Sequence, residues 1–358
     1  MVLTTYKKQI NIYIKYMWNC IKSLFCLQNT ENTYNEITLG NNYSIIKETD
    51  NYNIDFDNNI YLSHTDTFDK LNEYMLLSYN TDNIDVYSTN DIYLSKNIIN
   101  NIEIHGTNIS KNYKTKIYLY NNKIYKKYTI NKIENYVKII KIIKNNKINN
   151  ILLPNSIYYC KNENMYIEIY PYYPFGDLFT YITNNHLTYK QINSLYKKII
   201  TIIKNLHKHN ITHRDIKLEN FLIDYSKKNF DILLIDLDFT SLSNEYIEFR
   251  GGTEAYVPPE IFSIKQITDF KGVDIWACGV LLYIFIFNLL PWKNCDSTDE
   301  DNSEYIDFIN TDPNIYWDTQ LNKYNIPEKY HKIYKTILLY TFNLQYTKRL
   351  EINNIDIL

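Results

Sequence analysis

Glycine and proline are scarce in this chain, 7 and 8 among 358 residues, while the hydrophobic fraction of 45% is that of a globular protein. Cysteine is scarce too. The five cysteines, Cys20, Cys26, Cys160, Cys278 and Cys295, are scattered, odd in number and form no CxxC pair, which argues against a zinc site or a disulfide framework and for a reducing interior. Charge of one sign is missing: the formal net charge is -2, without the basic excess that would make nucleic acid the expected main partner. Long uncharged runs are missing as well. Near the N-terminus, Lys15 and Lys22 interrupt the apolar stretch 6–27, and no segment reaches the roughly 18 residues a spanning helix needs. That stretch reads instead as an amphipathic helix that docks on its own protein, or on a membrane or partner surface.

What is present is 45% hydrophobic residues, 37 tyrosines, and isoleucine, asparagine and lysine almost everywhere. The usage looks like translation of a very AT-rich genome, so Ile, Tyr and Asn read as compositional fillers and local propensity is discounted. Residues 28 to about 95 are polar and Asp/Asn-rich and offer no chemistry; 1–95 is set apart as an N-terminal extension. From about residue 100 the texture changes. IEIHG, KTKIYLY and KIYKKYTI read as short strands, with Asn121-Asn122 as the turn between the last two. ENYVKIIKIIKNN has helical spacing, and MYIEIYPYY returns to strand. Beyond Pro174 the helical segments are QINSLYKKIITIIKNLHKH, VDIWACGVLLYIFIFNLL and EKYHKIYKTILLYTF, with FLID and FDILLID as strands between residues 221 and 236. The expected fold class is α+β: a small β-rich N-lobe, 96–170, joined to a larger helical C-lobe, 171–358, with a ligand cleft between them.

The octet HRDIKLEN, residues 213 to 220, falls in the loop between the helix ending near His209 and the strand starting at Phe221. It resembles the catalytic loop of eukaryotic-type protein kinases. LLIDLDFT stands where a strand and the metal-binding Asp-Phe-Gly would stand, GTEAYVPPE matches the end of the activation segment, DIWACGVLLY the helix behind it, and KRLEI the arginine near the domain's end. The resemblance implies a serine/threonine protein kinase using ATP and Mg²⁺, since a lysine two residues after the loop aspartate, together with Thr253, is the serine/threonine pattern. Asp215 would orient the acceptor hydroxyl and take its proton, and Lys217 would reach the γ-phosphate. Asn220 and Asp236 would hold Mg²⁺ and, with Lys126 and Gly106, the nucleotide. Glu260 and Arg349 would form a buried ion pair, and Asp274 would hold the catalytic loop through backbone amides. His207 reads as packing, His209 as exposed, His213 as support for the loop.

Several positions depart from the pattern. Gly106 stands alone where the family has a glycine triad over the phosphates, leaving Ser110 and Asn112 as side-chain substitutes. The third strand offers both Lys126 and Lys127, with Lys126 in the better register. The acid that lysine needs is missing from the family's place. Glu134 is the only acid between Lys126 and Pro154 and lies too near the helix start, so Asp236 becomes the substitute partner. The metal motif reads Asp236-Leu237-Asp238, with Asp238 expected to take a left-handed backbone in place of glycine; Asp238-Phe239-Thr240 is an alternative register. Arg214 would pair with an activation-segment phosphate, but Phe249 stands before Gly251, so Glu248 or Glu245 would supply permanent charge and activity would not await phosphorylation. Asp177 and Glu219 match positions that bind basic residues of a protein substrate. Competing readings are a pseudokinase acting as a scaffold and a kinase-fold enzyme acting on a small molecule or lipid. The expected location is intracellular, in the cytoplasm, that of a host if the genome is viral.

Overall fold

The computed structural model describes residues 86–88, 106–109, 115–129, 133–160, 165–225, 230–243, 253–263, 270–299 and 302–350. The expectations for stretch 6–27, the segment IEIHG up to His105, Ser110, Asn112, Glu245, Glu248 and Phe249 lie outside these residues.

The first lobe is a six-stranded sheet. Its strands are β1 (Val86–Ser88), β2 (Thr107–Asn108), β3 (Thr115–Tyr120), β4 (Lys123–Tyr128), β5 (Ser156–Cys160) and β6 (Met165–Pro171), in spatial order β1-β5-β6-β4-β3-β2. β1, drawn from the stretch without assignable chemistry, pairs in parallel with β5, and all other neighbours are antiparallel. The β3–β4 hairpin closes over Asn121 and Asn122, both left-handed at φ 46° and 59°, as a two-residue loop matching the strand twist requires. Helix α1 (Ile133–Asn145) lies between β4 and β5 and buries Tyr136, Ile139, Ile140 and Ile143, the i, i+3, i+4, i+7 spacing of one helix face.

The second lobe is mostly helical. α2 (Leu178–Asn184) is capped by Asp177, whose carboxylate accepts from Thr180 N. α3 (Tyr189–Lys208) opens with a reciprocal capping box: Thr188 Oγ1 accepts from Gln191 N, and Gln191 Oε1 accepts from Thr188 N, together about 1 kcal/mol of helix stability. Then follow β7 (Ile211–Thr212), β8 (Phe221–Asp224), β9 (Asp231–Leu234) and β10 (Ser241–Leu242), paired as β7–β10 and β8–β9. α4 (Glu260–Ser263), α5 (Lys271–Phe287), α6 (Ser303–Asn310), α7 (Pro313–Lys323) and α8 (Glu328–Thr341) complete it, with a short 3-10 turn at Tyr346–Leu350. α5 is apolar on every side and buried from Gly272 to Phe287, so it forms the centre on which α3 and α8 pack. Gly279 makes this approach feasible: a Cβ there would stand 2.5 Å from Thr341 Oγ1.

Asparagine is not filler here. Among the described residues, six of the nine non-glycine positions with positive φ are asparagines: Asn121, Asn122, Asn150, Asn210, Asn288 and Asn325. Asn210 follows the end of α3, and Asn288 closes α5 at φ 56°. A chain short of glycine has put its best left-handed substitute where turns and helix ends need one. β5, α6 and α7 were not expected from periodicity. α7 does carry a start signal: Asp312 accepts from Asn314 N and Ile315 N, and Pro313 occupies the first helical position.

Candidate active site

Two loops of the second lobe and one strand of the first build the site. The catalytic-loop octet runs from β7 into a 3-10 turn at Leu218–Asn220 and on into β8. Asp274, fully buried near the start of α5, fixes the loop from beneath. Its Oδ2 accepts from His213 N at 2.9 Å and its Oδ1 from Arg214 N at 2.7 Å, while His207 Nε2 sits 2.9 Å from Oδ2. His207 is therefore more than packing: it satisfies the same carboxylate. His209 is half-buried rather than exposed, with Nδ1 2.9 Å from Asn205 O. His213 uses both ring nitrogens inside the loop, Nε2 against Ile235 O at 3.0 Å and Nδ1 accepting from Asp215 N at 3.3 Å.

With the backbone held, four side chains converge. Lys217 Nζ donates to Asp215 Oδ2 at 2.6 Å and to Thr253 Oγ1 at 3.3 Å. Asn220 Nδ2 donates to Asp215 O at 2.8 Å and to Asp215 Oδ2 at 3.1 Å, so the atom left for a cation is its Oδ1. Burial alone would lower the Lys217 ammonium, but the Asp215 charge and hydrogen bond override it and hold it above its ordinary value.

Across the cleft, Lys126 lies in β4, its Nζ 2.9 Å from Asp236 Oδ1 and 2.6 Å from Asp238 Oδ1. Lys126, not Lys127, thus reaches the metal motif, and Asp236 is a partner as expected. The Glu134 side chain lies outside the described residues. The backbone expectation for the motif is corrected. Asp236 itself is left-handed, at φ 63° and ψ 75°, whereas Asp238 follows it inside a 3-10 turn at Leu237–Phe239 and is not among the positive-φ residues. Glycine's freedom is therefore not needed at position 238. Burial favours the neutral form of both acids. Lys126 and Lys217 nevertheless hold the Asp236 carboxyl down at about 2, while burial and the Asp236 charge keep Asp238 up at about 6 despite Lys126. Lys126 is raised: burial opposes its charge, and the surrounding acids outweigh burial.

A third acid was missed from sequence. Glu168 faces Lys126 across the β4–β6 ladder, is fully buried, and accepts from Tyr170 OH at 2.7 Å; its other oxygen has no hydrogen-bond partner. The signal was there, a single carboxylate inside the apolar strand MYIEIYPYY.

The remaining expected residues fall as follows. Gly106 lies just before β2, at the sheet's edge beside β3. Asp177 caps α2 and is nearly buried. Glu219 sits within the catalytic loop's 3-10 turn, with Oε2 buried and unpartnered. Burial raises both carboxyls; Thr180 moderates the first, while the Asp177 charge adds to the second. Arg349 Nη2 donates to Glu260 Oε2 at 2.6 Å, Nη1 to Gly272 O, and Nε to Asn343 O, with the guanidinium over the Trp276 ring. Arg214 lies over the Phe270 ring, 4.3 Å from its centroid, and burial lowers its guanidinium to about 10. Chemically, the cleft offers a carboxylate for a hydroxyl proton, two ammonium groups for anionic oxygens, and hard oxygen donors for a small divalent cation.

Comparison with known proteins agrees with that chemistry. The family described as "Protein kinase domain" matches residues 107–356. Among curated proteins, the chain is 33% identical over 120 residues to "Serine/threonine-protein kinase SIK1" of Mus musculus, covering 33% of this chain and 15% of that protein. It is 30% identical over 145 residues to "Fatty acyl-CoA synthetase and RNA processing-associated kinase 1" of Saccharomyces cerevisiae, covering 38% and 16%. With "Serine/threonine-protein kinase PRR2" of the same yeast it shares 32% over 124 residues, covering 33% and 17%. The matched stretch thus spans about a sixth of each relative's length.

Proposed function

Starting from the fact that this chain belongs to the protein kinase domain family, we propose that it transfers the γ-phosphate of ATP to serine or threonine hydroxyls of proteins, with Mg²⁺ as its cofactor. One observation carries the reading: Asp215, Lys217, Asn220 and Thr253 are joined by hydrogen bonds on one wall of a cleft whose other wall presents Lys126 to Asp236. Asp215 accepts the proton of the acceptor hydroxyl as its oxygen bonds to the γ-phosphorus. The bond from that phosphorus to the β–γ bridging oxygen breaks, and ADP leaves with the electron pair. Lys217 donates to the γ-phosphate oxygens and Lys126 to the α- and β-phosphates, where fixed charges in a partly buried cleft act more strongly than in water. The donor set fits Mg²⁺, since the Asn220 amide oxygen and the Asp236 carboxylate are hard oxygen ligands; when bound, the ion supplies charge neutralisation for the phosphates. Thr253, hydrogen-bonded to Lys217, supports choice of an aliphatic hydroxyl.

Substrate choice follows from the acid pair. Glu219 has a buried oxygen without a partner beside Asp177, and a cationic arginine or lysine of the substrate would satisfy both. A peptide array should favour basic residues upstream of the target hydroxyl; an acidic or proline-directed preference would remove this part of the proposal. The buried, unbridged Cys278 and Cys295 suit a reducing intracellular compartment. A second reading, a scaffold with decayed nucleotide handling, is favoured by the lone Gly106 before β2. The test of both is incorporation of labelled phosphate from ATP into a generic basic protein by the wild type and by Asp215→Asn. The variant should lose about 100-fold or more. Equal signal from the two proteins overturns catalysis.

A further inference from the structure

We propose that Asp238, standing where the family's metal motif has glycine, is the positioning acid that holds Lys126 in the cleft. This rests on the reading of Lys126 as the phosphate-binding lysine and names the residue that keeps it there. The Lys126 side chain is only 11% exposed, so its ammonium needs a carboxylate partner in every state of the site. Asp236 is hydrogen-bonded to it through Oδ1 at 2.9 Å, but Asp236 is also the carboxylate suited to the cation, whose charge would compete with the ammonium for that carboxylate. Asp238 makes the shorter contact, 2.6 Å, and among the described residues its carboxylate hydrogen-bonds no other side chain. It is carried on the 3-10 turn at Leu237–Phe239, a conformation that accepts a side chain without strain.

The described buried face of α1, where the family's acid would be sought, is Tyr136, Ile139, Ile140 and Ile143 and contributes no charge. Glu168 is the remaining candidate on the strand beside Lys126. Its hydrogen bond, however, is with the Tyr170 hydroxyl at 2.7 Å, whereas both hydrogen bonds of the Lys126 ammonium go to the two aspartates. Among the described residues, the acids hydrogen-bonded to Lys126 thus come from a turn of the second lobe.

The test compares Asp238→Asn, Asp238→Gly and Glu168→Gln in the full chain, reading the Kd for Mg-ATP by calorimetry, KM and kcat separately, and the urea midpoint without ligand. Asp238→Asn and Asp238→Gly should each raise Kd and KM for Mg-ATP about tenfold with a smaller change in kcat. In a Lys126→Met background, adding Asp238→Asn should change Kd less than twofold, and the two substitutions should be non-additive in the ligand-free midpoint. An unchanged Kd in Asp238→Asn overturns the proposal, as does a tenfold loss that persists in the Lys126→Met background, which would mark Asp238 as a cation ligand. A tenfold loss in Glu168→Gln alone would assign the role to the strand acid instead. Failure of the wild type to bind Mg-ATP at millimolar concentration sinks the kinase reading itself; the ligand-free cycle then still decides whether Asp238 holds Lys126.

Discussion

The second lobe keeps closer to the expected family pattern than the first. In the second lobe the expected structural partners are found: Asp274 lies under the loop amides and Glu260 meets Arg349, while Lys217 and Asn220 both hydrogen-bond Asp215. In the first lobe the β3–β4 hairpin and the lysine on β4 are as expected, while the groups around that lysine have been rearranged. The difference follows from how each function is delivered. Backbone amides and a proton-accepting carboxylate must be held within tenths of an ångström, which only a fixed loop on a buried helix provides. An ammonium needs a negative field, and any nearby carboxylate can supply one.

Breaking the buried ion pair should give the largest effect and mark the second lobe as intolerant. Arg349→Met should cost about 3 to 5 kcal/mol in urea denaturation, because Glu260 is left charged and buried, and the double variant with Glu260→Gln should recover part of it. Next comes the contrast of neighbours on β4. Lys126→Met should weaken Mg-ATP binding by about 100-fold and Lys127→Met by only a few-fold, since Lys126 alone of the two is hydrogen-bonded to the metal motif; equal losses would place both lysines at the phosphates. Gly279→Ala tests the packing of α5 on α8 and should cost about 1 to 3 kcal/mol unless Thr341 can turn away. The smallest effect belongs to the β3–β4 turn, where Asn122→Ala should cost about 1 kcal/mol and Asn122→Gly should cost nothing, read as midpoint shifts.

Arg214 sharpens the same comparison. Its guanidinium rests on the Phe270 ring, so a buried aromatic face receives part of its charge.

Legibility followed sequence distance. The octet 213–220 could be read because its chemistry is packed into one loop, with Asp215, Lys217 and Asn220 near enough along the chain that local backbone geometry alone brings them together. The long helices α3, α5 and α8 were legible from apolar periodicity, and the β3–β4 hairpin from its turn. The short α6 and α7 were not, because their burial rests on a few aromatics such as Phe308, Tyr316 and Trp317 without a sustained stripe. Asparagine was misjudged as filler because composition carries no φ; its role is visible only where the backbone turns left-handed.

By itself the sequence determined that Asp215, Lys217 and Asn220 lie together in one loop, because they are tied together by a handful of covalent links. The tertiary structure alone decided that Asp238 shares Lys126 with Asp236 and that Glu168 stands beside them. Asp236 and Asp238 lie 110 and 112 residues further along the chain, and Glu168 belongs to a different strand. Which of these meets the ammonium depends on how one lobe packs on the other. That packing is set by burial summed over a whole core rather than by any local pattern.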